Sequence, residues 1–291
     1  MSSSLWTDYA ENKLVDKTRG TEPTYPTNWY FGLLSAAADG SFTEVTGVNL
    51  ARVAVTRSLA KWAGSQAAGS TTASSGTSHI TSNNDAVAFG TAAANLAAPA
   101  THLGLFDALS GGNLWAYVPC PQGPVTVLLG DSPSFAAGTV QFVVGEGNGC
   151  SNYLSNKLID EFFRAQAWAW PATTYQALYT TSPGNADAGV EVAGGSYARI
   201  AVASSMANWS GTQSAGSTSA SSGTSGKSSN NITIQWAAPT ADWGAVTSYG
   251  CRDASSGGNL LLWGDFASPR SILNGGAAPS FAPAALARYF L

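Results

Sequence analysis

Two segments of the chain carry apolar residues at the three-to-four-residue spacing of an amphipathic helix. The apolar positions of the first segment are Leu5, Trp6, Tyr9 and Leu14, and those of the second are Tyr153, Leu154, Leu158, Ile159, Phe162 and Phe163. Ser and Thr residues ahead of each stripe can serve as N-caps. The pattern therefore predicts one helix near the start of the chain and another just past its middle.

After each helix, apolar residues alternate with small or polar ones, which is the pattern of half-buried strands. A clear case is Ile232-Thr233-Ile234-Gln235-Trp236, and Gly, Pro, Asn or Asp residues separate such runs. The predicted strands cover residues 29–34, 50–56, 86–89, 102–106, 114–118, 125–129 and 140–144, and then 174–179, 197–203, 232–236, 248–252 and 260–265. Short strands at this spacing predict a mainly β chain of antiparallel β-sandwiches, jelly-roll or immunoglobulin-like.

The whole pattern occurs twice. With a shift of 144 to 147 residues, Asn12–Asp16 matches Asn156–Asp160, and Asp107–Leu114 matches Asp253–Leu260. Such a period is far longer than the roughly 20 to 50 residues of a solenoid repeat or propeller blade. The sequence predicts two tandem domains, residues 1–147 and 148–291, each a helix followed by a β-sandwich, joined by the glycine-rich linker 145–149.

A Ser/Thr/Gly/Ala-rich segment occupies residues 64–84, here called tract 1, and its counterpart, tract 2, occupies residues 211–231. This composition is typical of flexible linkers. However, Trp62–Ser78 and Trp209–Ser225 are identical at 13 of 17 positions, the closest match between the copies. We therefore expect ordered segments that pack against a neighbouring chain or the other copy, with Trp62 and Trp209 buried at their base.

Composition narrows the choice of partners. Charged residues make up 10% of the chain, far below the roughly 25% of ordinary soluble proteins, and the net charge is -4 without a basic cluster. Nucleic acid is therefore not an expected partner. No apolar run approaches the roughly 20 residues of a membrane span, and the start of the chain lacks signal-peptide features, which predicts no membrane insertion and folding in a cytoplasm.

Three cysteines, Cys120, Cys150 and Cys251, show no close spacing. They fit neither a disulfide framework nor a zinc site, and at least one is free unless it pairs between chains.

The candidate catalytic residues of the first copy have no equivalents in the second. A residue that performs the same reaction in both copies should occur at the matching position of each. Gly130-Asp131-Ser132 faces Gly276-Ala277-Ala278, while His79 and His102 face Gly226 and Ser248. We expect a turn in the first case and ordinary surface or core histidines in the second. The sequence therefore predicts no catalytic residues, no metal site and no cofactor.

Charged residues that recur in both copies have two interpretations. They are Lys13 and Lys157, Asp16 and Asp160, Glu44 and Glu191, Arg52 and Arg199, and Asp107 and Asp253. Paired carboxylates could hydrolyse glycosides. We favour structural roles, in which Asp107 and Asp253 head Gly-Gly turns and Arg52 and Arg199 each anchor a strand to a carboxylate.

The predicted assembly contacts are large apolar side chains of the two predicted helices and at the base of the two tracts. They are Trp6, Tyr9, Trp62, Leu158, Phe162, Phe163 and Trp209. The helix stripes are too apolar to face water and must cover a sandwich edge, the other copy or a neighbouring subunit. Trp62 and Trp209 could instead stack on sugar rings, but burial in the domain or at a subunit contact is favoured.

The order of motifs in the second copy resembles a family of small phage virion proteins that are often labelled tail-fibre-like. The motifs are Tyr153–Asp160, Pro171–Tyr179, Glu191–Arg199, Trp243-Gly244, Asp253–Leu261 and Trp263-Gly264. The first copy follows this order more loosely, with Leu50-Ala51-Arg52 in place of Tyr197-Ala198-Arg199. The resemblance implies a non-enzymatic structural component of a phage particle, in the fibre, collar or head decoration.

Two classes of function follow. The first is a virion assembly or decoration protein whose partners are other virion proteins and copies of itself, because interface cores are poor in charge and rich in aromatic residues. The alternative is a carbohydrate-binding module that recognises a host surface glycan as the receptor-reading part of a fibre. Exposed tryptophans beside polar side chains would favour the second.

Overall fold

The computed structural model describes residues 5–46, 48–145 and 149–289. The chain is mainly β, with 34% strand and 8% helix, and contains two tandem β-sandwich domains, as the sequence predicts. The predicted boundary between residues 147 and 148 lies outside the described residues.

The two compact units of the chain do not coincide with the two copies in the sequence. Unit 1 comprises Met1–Glu11, Thr24–Val144 and Asn156–Trp168, whereas unit 2 comprises Asn12–Pro23, Gly145–Ser155 and Ala169–Leu291. Each unit therefore combines the strands of one copy with the larger, C-terminal part of the helix that begins the other copy.

Two helices occur among the described residues, α1 (Asp8–Lys17) and α2 (Asn152–Arg164). The N-cap of α1 is Thr7, whose hydroxyl accepts a hydrogen bond from the N–H of Ala10 at 3.4 Å. Ser151 caps α2 in the same way through the N–H of Leu154 at 3.1 Å. Neither helix is long and apolar enough to cross a membrane, and the described residues contain no other candidate.

Unit 1 contains ten strands among its described residues. They are β1 (Leu5–Trp6), β2 (Asn28–Ala38), β3 (Ser41–Glu44), β4 (Val53–Thr56), β5 (Ile80–Ser82), β6 (Val87–Ala88), β7 (His102–Phe106), β8 (Leu114–Pro119), β9 (Ser134–Phe135) and β10 (Gln141–Val143). The main antiparallel sheet has the order β1-β8-β7-β2-β3, and β4 also pairs with β2. Two further pairs, β5–β10 and β6–β9, complete the unit.

Unit 2 repeats this plan with nine described strands. They are β11 (Thr173–Thr181), β12 (Val190–Glu191), β13 (Ile200–Ala203), β14 (Lys227–Ser229), β15 (Ile234–Gln235), β16 (Gly244–Arg252), β17 (Leu260–Ile272), β18 (Ser280–Phe281) and β19 (Ala287–Tyr289). The main sheet has the order β12-β11-β16-β17, with β13 also on β11, and the smaller pairs are β14–β19 and β15–β18.

The core of unit 1 is an aromatic cluster around α2. Phe162 stacks on Trp29 at 4.4 Å between ring centroids, and the Trp29 indole N–H donates to the Phe162 carbonyl at 2.9 Å. Phe163 packs against Trp62 at 4.8 Å. Burial of each such ring contributes about 1.5–3 kcal/mol, so this part of α2 is a component of the core of unit 1.

One predicted strand is wrong, and several strands were not predicted. Leu5 and Trp6, which were predicted to lie on the first helix, form β1 and pair with β8 instead, since α1 begins only at Asp8. Residues 125–129 contribute only the isolated bridge of Val125 with Ala100, because Leu128 and Leu129 are exposed rather than alternately buried. The missed strands, such as β5, β14 and β19, are two to four residues long, too short to show an alternation.

Candidate functional site

Each Ser/Thr tract is held by a helix whose sequence belongs to the other copy. In unit 1, Arg164 of α2 is completely buried beneath tract 1. Its Nε donates to the carbonyl of Trp62 at 3.0 Å, and its Nη2 donates to the carbonyls of Ser70 and Thr72 at 3.3 and 2.5 Å. Three carbonyls thus converge on one guanidinium, which fixes the path of the tract.

Asp160 and Asn156 lie on the same face of α2 and complete this arrangement. Asp160 accepts hydrogen bonds from the N–H and the hydroxyl of Ser74, the latter at 2.7 Å, and pairs with Arg164 Nη1 at 2.6 Å. The Asn156 amide donates to the Gly76 carbonyl at 3.1 Å and accepts from the Ser65 hydroxyl. We call Asn156, Asp160 and Arg164 clamp 1.

Unit 2 contains the same arrangement on α1 and the turn after it. Arg19 Nε donates to the carbonyl of Trp209 at 2.9 Å, and its Nη2 donates to the Ser219 carbonyl at 2.8 Å. Asp16 pairs with Arg19 at 2.6 Å and accepts from the Ser221 N–H and hydroxyl. Asn12 donates to the Gly223 carbonyl at 3.1 Å. We call Asn12, Asp16 and Arg19 clamp 2.

The tracts also have matching internal contacts. The Ser65 hydroxyl accepts from the N–H of Gly76, and the Thr212 hydroxyl accepts from the N–H of Gly223, each at 2.8 Å. A Cβ on Gly76 would lie 2.3 Å from the Ser65 carbonyl oxygen, so only glycine fits there. Both tracts are ordered, as predicted, and of the two expected packing partners, a neighbouring chain or the other copy, the structure shows the second.

Trp62 and Trp209, the residues at the base of the tracts, have no exposed surface. Their carbonyls accept from the clamp arginines. Neither indole face is accessible to a sugar ring, so these two residues cannot be the stacking platforms that the sequence left open.

The other predicted assembly contacts also lie inside the chain. Trp6, Leu158, Phe162 and Phe163 are buried, and Tyr9 is half-buried with its ring 5.2 Å from that of Trp115. The core of unit 1 accounts for their apolar character. Contacts of these residues with a neighbouring chain stay a prediction.

Arg52 and Arg199 occupy equivalent positions beside a carboxylate and a turn. Arg52 forms two hydrogen bonds with Glu44, at 2.6 and 2.7 Å, and donates to the Gly111 carbonyl at 2.7 Å. Arg199 contacts Glu191 and Gly257 in the same way. Burial alone would raise the pKa of Glu191, but hydrogen bonds from Arg199 and Tyr197 outweigh it and hold the pKa below its ordinary value.

Asp107 and Asp253 lie at the heads of two equivalent turns. The Asp107 carboxylate accepts from the backbone N–H of Asn113 at 2.7 Å, and Asp253 accepts from that of Asn259 at 2.6 Å. Each aspartate also accepts from the Asn side chain, at 2.8 and 2.7 Å. Their oxygens are occupied by turn groups, so neither is positioned as a free acid or base.

Residues with catalytic potential have structural partners. The Ser132 hydroxyl bonds that of Thr91 at 2.9 Å, and Asp131 accepts from the N–H of Leu128 at 2.8 Å. His102 bonds the Thr101 hydroxyl at 2.8 Å, and burial lowers the pKa of its imidazole. Over residues 5–46, 48–145 and 149–289, no cluster of three or more His, Cys, Asp or Glu side chains could hold a metal ion.

Comparison with known proteins is consistent with this duplication. The family model described as podophage GP4 fiber I protein gp80 matches residues 5–143 and, again, residues 149–288. The two matches together cover nearly the whole sequence. No curated protein matches the chain.

Proposed function

The chain belongs to the family of the podophage GP4 fiber I protein gp80, and from this premise we propose that it is a non-enzymatic structural subunit of a phage fibre. Its partners are other virion proteins and further copies of the chain, and its location is the assembled virion after folding in the host cytoplasm. Within the particle, the family description favours the fibre over the collar or the head decoration.

The observation that carries this proposal is that the charged side chains recurring in both copies form internal ion pairs. Asp16, Asp160, Glu44 and Glu191 each pair with a buried or nearly buried arginine that also binds backbone carbonyls. Each of these carboxylates is bound by its arginine, so none is free to act as the acid or nucleophile of a catalytic carboxylate pair. The charges of this chain fix loops and turns, which is what a subunit that presents rigid surfaces to neighbours requires.

Receptor recognition is the second candidate, and one cavity of unit 2 favours it. This cavity holds about 440 Å³, and its lining includes Trp236, Phe266, Phe281 and Arg270. Aromatic rings beside a charged side chain are suited to a glycan. Trp236 is nevertheless buried, and none of the ten tryptophans is exposed in the part of the chain that the structure describes.

The deciding experiment uses phage that carry an amber mutation in the gene for this chain. Particles grown without suppression should lack fibres and fail to adsorb, and supplying the chain in trans should restore both. Particles with complete fibres and normal adsorption would contradict the proposal. A Phe281→Ala chain that assembles normally but does not adsorb would instead favour receptor recognition.

A further inference from the structure

Unit 1 presents two adjacent leucines to solvent on one loop. Leu128 and Leu129 are 52% and 68% exposed, and Leu129 is the most exposed large apolar side chain among the described residues. The Leu128 N–H donates to the Asp131 carboxylate at 2.8 Å, and the Leu129 N–H donates to the Asn95 side chain at 2.7 Å. This loop, residues 128–131, is called the leucine loop. Its hydrogen bonds hold the two leucines in place, which lowers the entropy cost of binding a partner.

The matching loop of unit 2 shares only one of these features. There the Asp242 side chain accepts from the N–H of Asn274 at 2.7 Å, which is the same contact that fixes the leucine loop. The residue before Asn274 is Leu273, which is 58% exposed and corresponds to Leu128. Residues 274–278 contain no leucine and no carboxylate. The second leucine and the acidic residue of the leucine loop therefore have no counterpart in unit 2.

The 440 Å³ cavity of unit 2 has a complementary character. Apart from Arg270 and Ser280, the side chains that line it are aliphatic or aromatic. Ser280 and Ala277 are exposed members of the lining, so the cavity opens to solvent. An apolar cavity of about 150 Å³ accommodates a benzene ring. The larger cavity of unit 2 therefore has room for two leucine side chains.

Arg270 brings a positive charge to this cavity. Its side chain is exposed, and its guanidinium has no hydrogen bond, ion pair or ring contact with any residue that the structure describes. Arg270 lies opposite Val246 on the pair β16–β17, whereas the matching bridge of unit 1 joins Val125 to Ala100. The arginine is thus specific to unit 2, just as the carboxylate of the leucine loop is specific to unit 1.

We propose that the cavity of unit 2 receives the leucine loop of a second copy of this chain, with Leu128 and Leu129 inside the cavity and Asp131 paired with Arg270. The inference rests on the proposed structural function and names the surfaces through which copies associate. Because the loop and the cavity belong to different units, each copy binds one neighbour through its loop and another through its cavity. Contacts of this head-to-tail kind build rings or open filaments.

Leucine side chains fit this cavity better than a glycan does. A sugar ring carries hydroxyl groups, and each one that is buried without a hydrogen-bond partner costs free energy. Among the lining side chains, Arg270 and Ser280 offer polar groups, but the indole N–H of Trp236 is closed to solvent. Leucine has no polar side-chain atom to satisfy, and the one carboxylate of the loop matches the one positive charge of the cavity.

Sedimentation velocity of the full chain tests the contact through an exchange of charges. Arg270→Asp should weaken self-association about tenfold or more, because its cavity then repels Asp131. Asp131→Arg should weaken it similarly, because its loop then repels Arg270. An equimolar mixture of the two variants should associate again, since every loop then meets a cavity of opposite charge. Both positions are exposed, so both variants are expected to fold.

A second variant tests the leucines and the head-to-tail direction. A chain with Leu128→Ser and Leu129→Ser should not associate with itself, but its cavity is intact. It should therefore bind wild-type chains as a terminal subunit and shorten wild-type assemblies as its share of the mixture rises. The matched control is Leu109→Ser, which changes another leucine of unit 1 that is 57% exposed and should associate like the wild type.

Three outcomes would overturn the proposal. They are a wild-type chain that stays monomeric at high concentration, an association that Arg270→Asp and Asp131→Arg leave unchanged, and a mixture of these two variants that associates no better than either alone. Phage experiments separate this inference from the proposed function. If fibres are absent without the chain but complete with the Arg270→Asp chain, the cavity contact is refuted and the structural function stands. If such complete fibres also fail to adsorb, the cavity binds the receptor instead.

Discussion

Removing the carboxylate of clamp 1 should destabilise unit 1 much more than removing an exposed carboxylate with an equally short ion pair. In Asp160→Ala, the N–H and hydroxyl of Ser74 lose their acceptor, and the guanidinium of Arg164 stays buried without its counter-ion. The matched control is Asp85→Ala, because Asp85 pairs with Lys61 at the same 2.6 Å but both side chains are about half exposed or more.

The magnitude follows from burial. Breaking a buried ion pair by removing one partner costs about 3–5 kcal/mol, whereas an exposed pair contributes about 0–1 kcal/mol. Arg164 keeps its hydrogen bonds to the carbonyls of Trp62, Ser70 and Thr72, so the lower end, about 3 kcal/mol, is expected for Asp160→Ala. Such a loss is a large part of the roughly 5–15 kcal/mol that stabilises a typical domain.

Urea unfolding of the full chain measures the loss, and hydrogen exchange with mass spectrometry assigns it to tract 1. The amide of Ser74 should lose protection in Asp160→Ala, while tract 2, held by clamp 2, keeps its own. Adding Arg164→Met should cost less than the sum of the single changes, because no charge is then left unpaired. If Asp160→Ala and Asp85→Ala have equal effects, the clamp does not hold the tract as described.

Three further results are expected. Burial, followed by the charges of Asp39 and Asp8, raises the pKa of Glu11 to about 7. Because the folded state then binds the Glu11 proton more tightly than the unfolded state, the free energy of unfolding should fall as the pH rises from about 5 to about 8. Urea unfolding at a series of pH values should show a weaker pH dependence for Glu11→Gln than for the wild-type chain. Gly112→Ala should lower the free energy of unfolding in urea more than Gly123→Ala does. Both glycines have a positive φ, which alone costs an alanine about 1–2 kcal/mol, but only a Cβ at position 112 would also collide with Asp107, at 2.4 Å. Burial raises the pKa of Cys120 to about 11 and that of Cys150 to about 12, so neither thiol should react with iodoacetamide at pH 8 until the protein is denatured.

The sequence was sufficient to predict the helices, the β-sandwich class and the order of the tracts, because each leaves a periodic or repeated signal. The apolar stripe of α2 shows that Phe162 and Phe163 are buried. It cannot show which strands bury them, since a 3.6-residue period identifies a face of a helix and not its partner. The packing of α2 against the strands of the first copy could therefore not be predicted from the sequence.

The clamp arginines were missed for a different reason. Asp16 and Asp160 align between the copies, but Arg19 follows its aspartate by three residues and Arg164 by four, so alignment does not pair the two arginines. Both spacings bring a side chain to the same face of a helix or its last turn. A search for any Arg three or four residues after the matched Asp would have found the clamps.

The exchange of helix segments makes a last prediction about fragments of the chain. Tract 1 is held by residues 156–164, which lie beyond the end of the first copy, so residues 1–147 contain tract 1 without Asn156, Asp160 or Arg164. That fragment also leaves Trp29 without its stacking partner, Phe162. A fragment of residues 1–168 contains all of these groups and differs only by α2 and its flanking residues. We expect strong hydrogen-exchange protection of tract 1 in the longer fragment and little in the shorter one, and protection in the shorter fragment should return when a peptide of residues 149–168 is added. Equal protection in the two fragments would mean that tract 1 is ordered by the first copy alone, and that clamp 1 adds nothing to it.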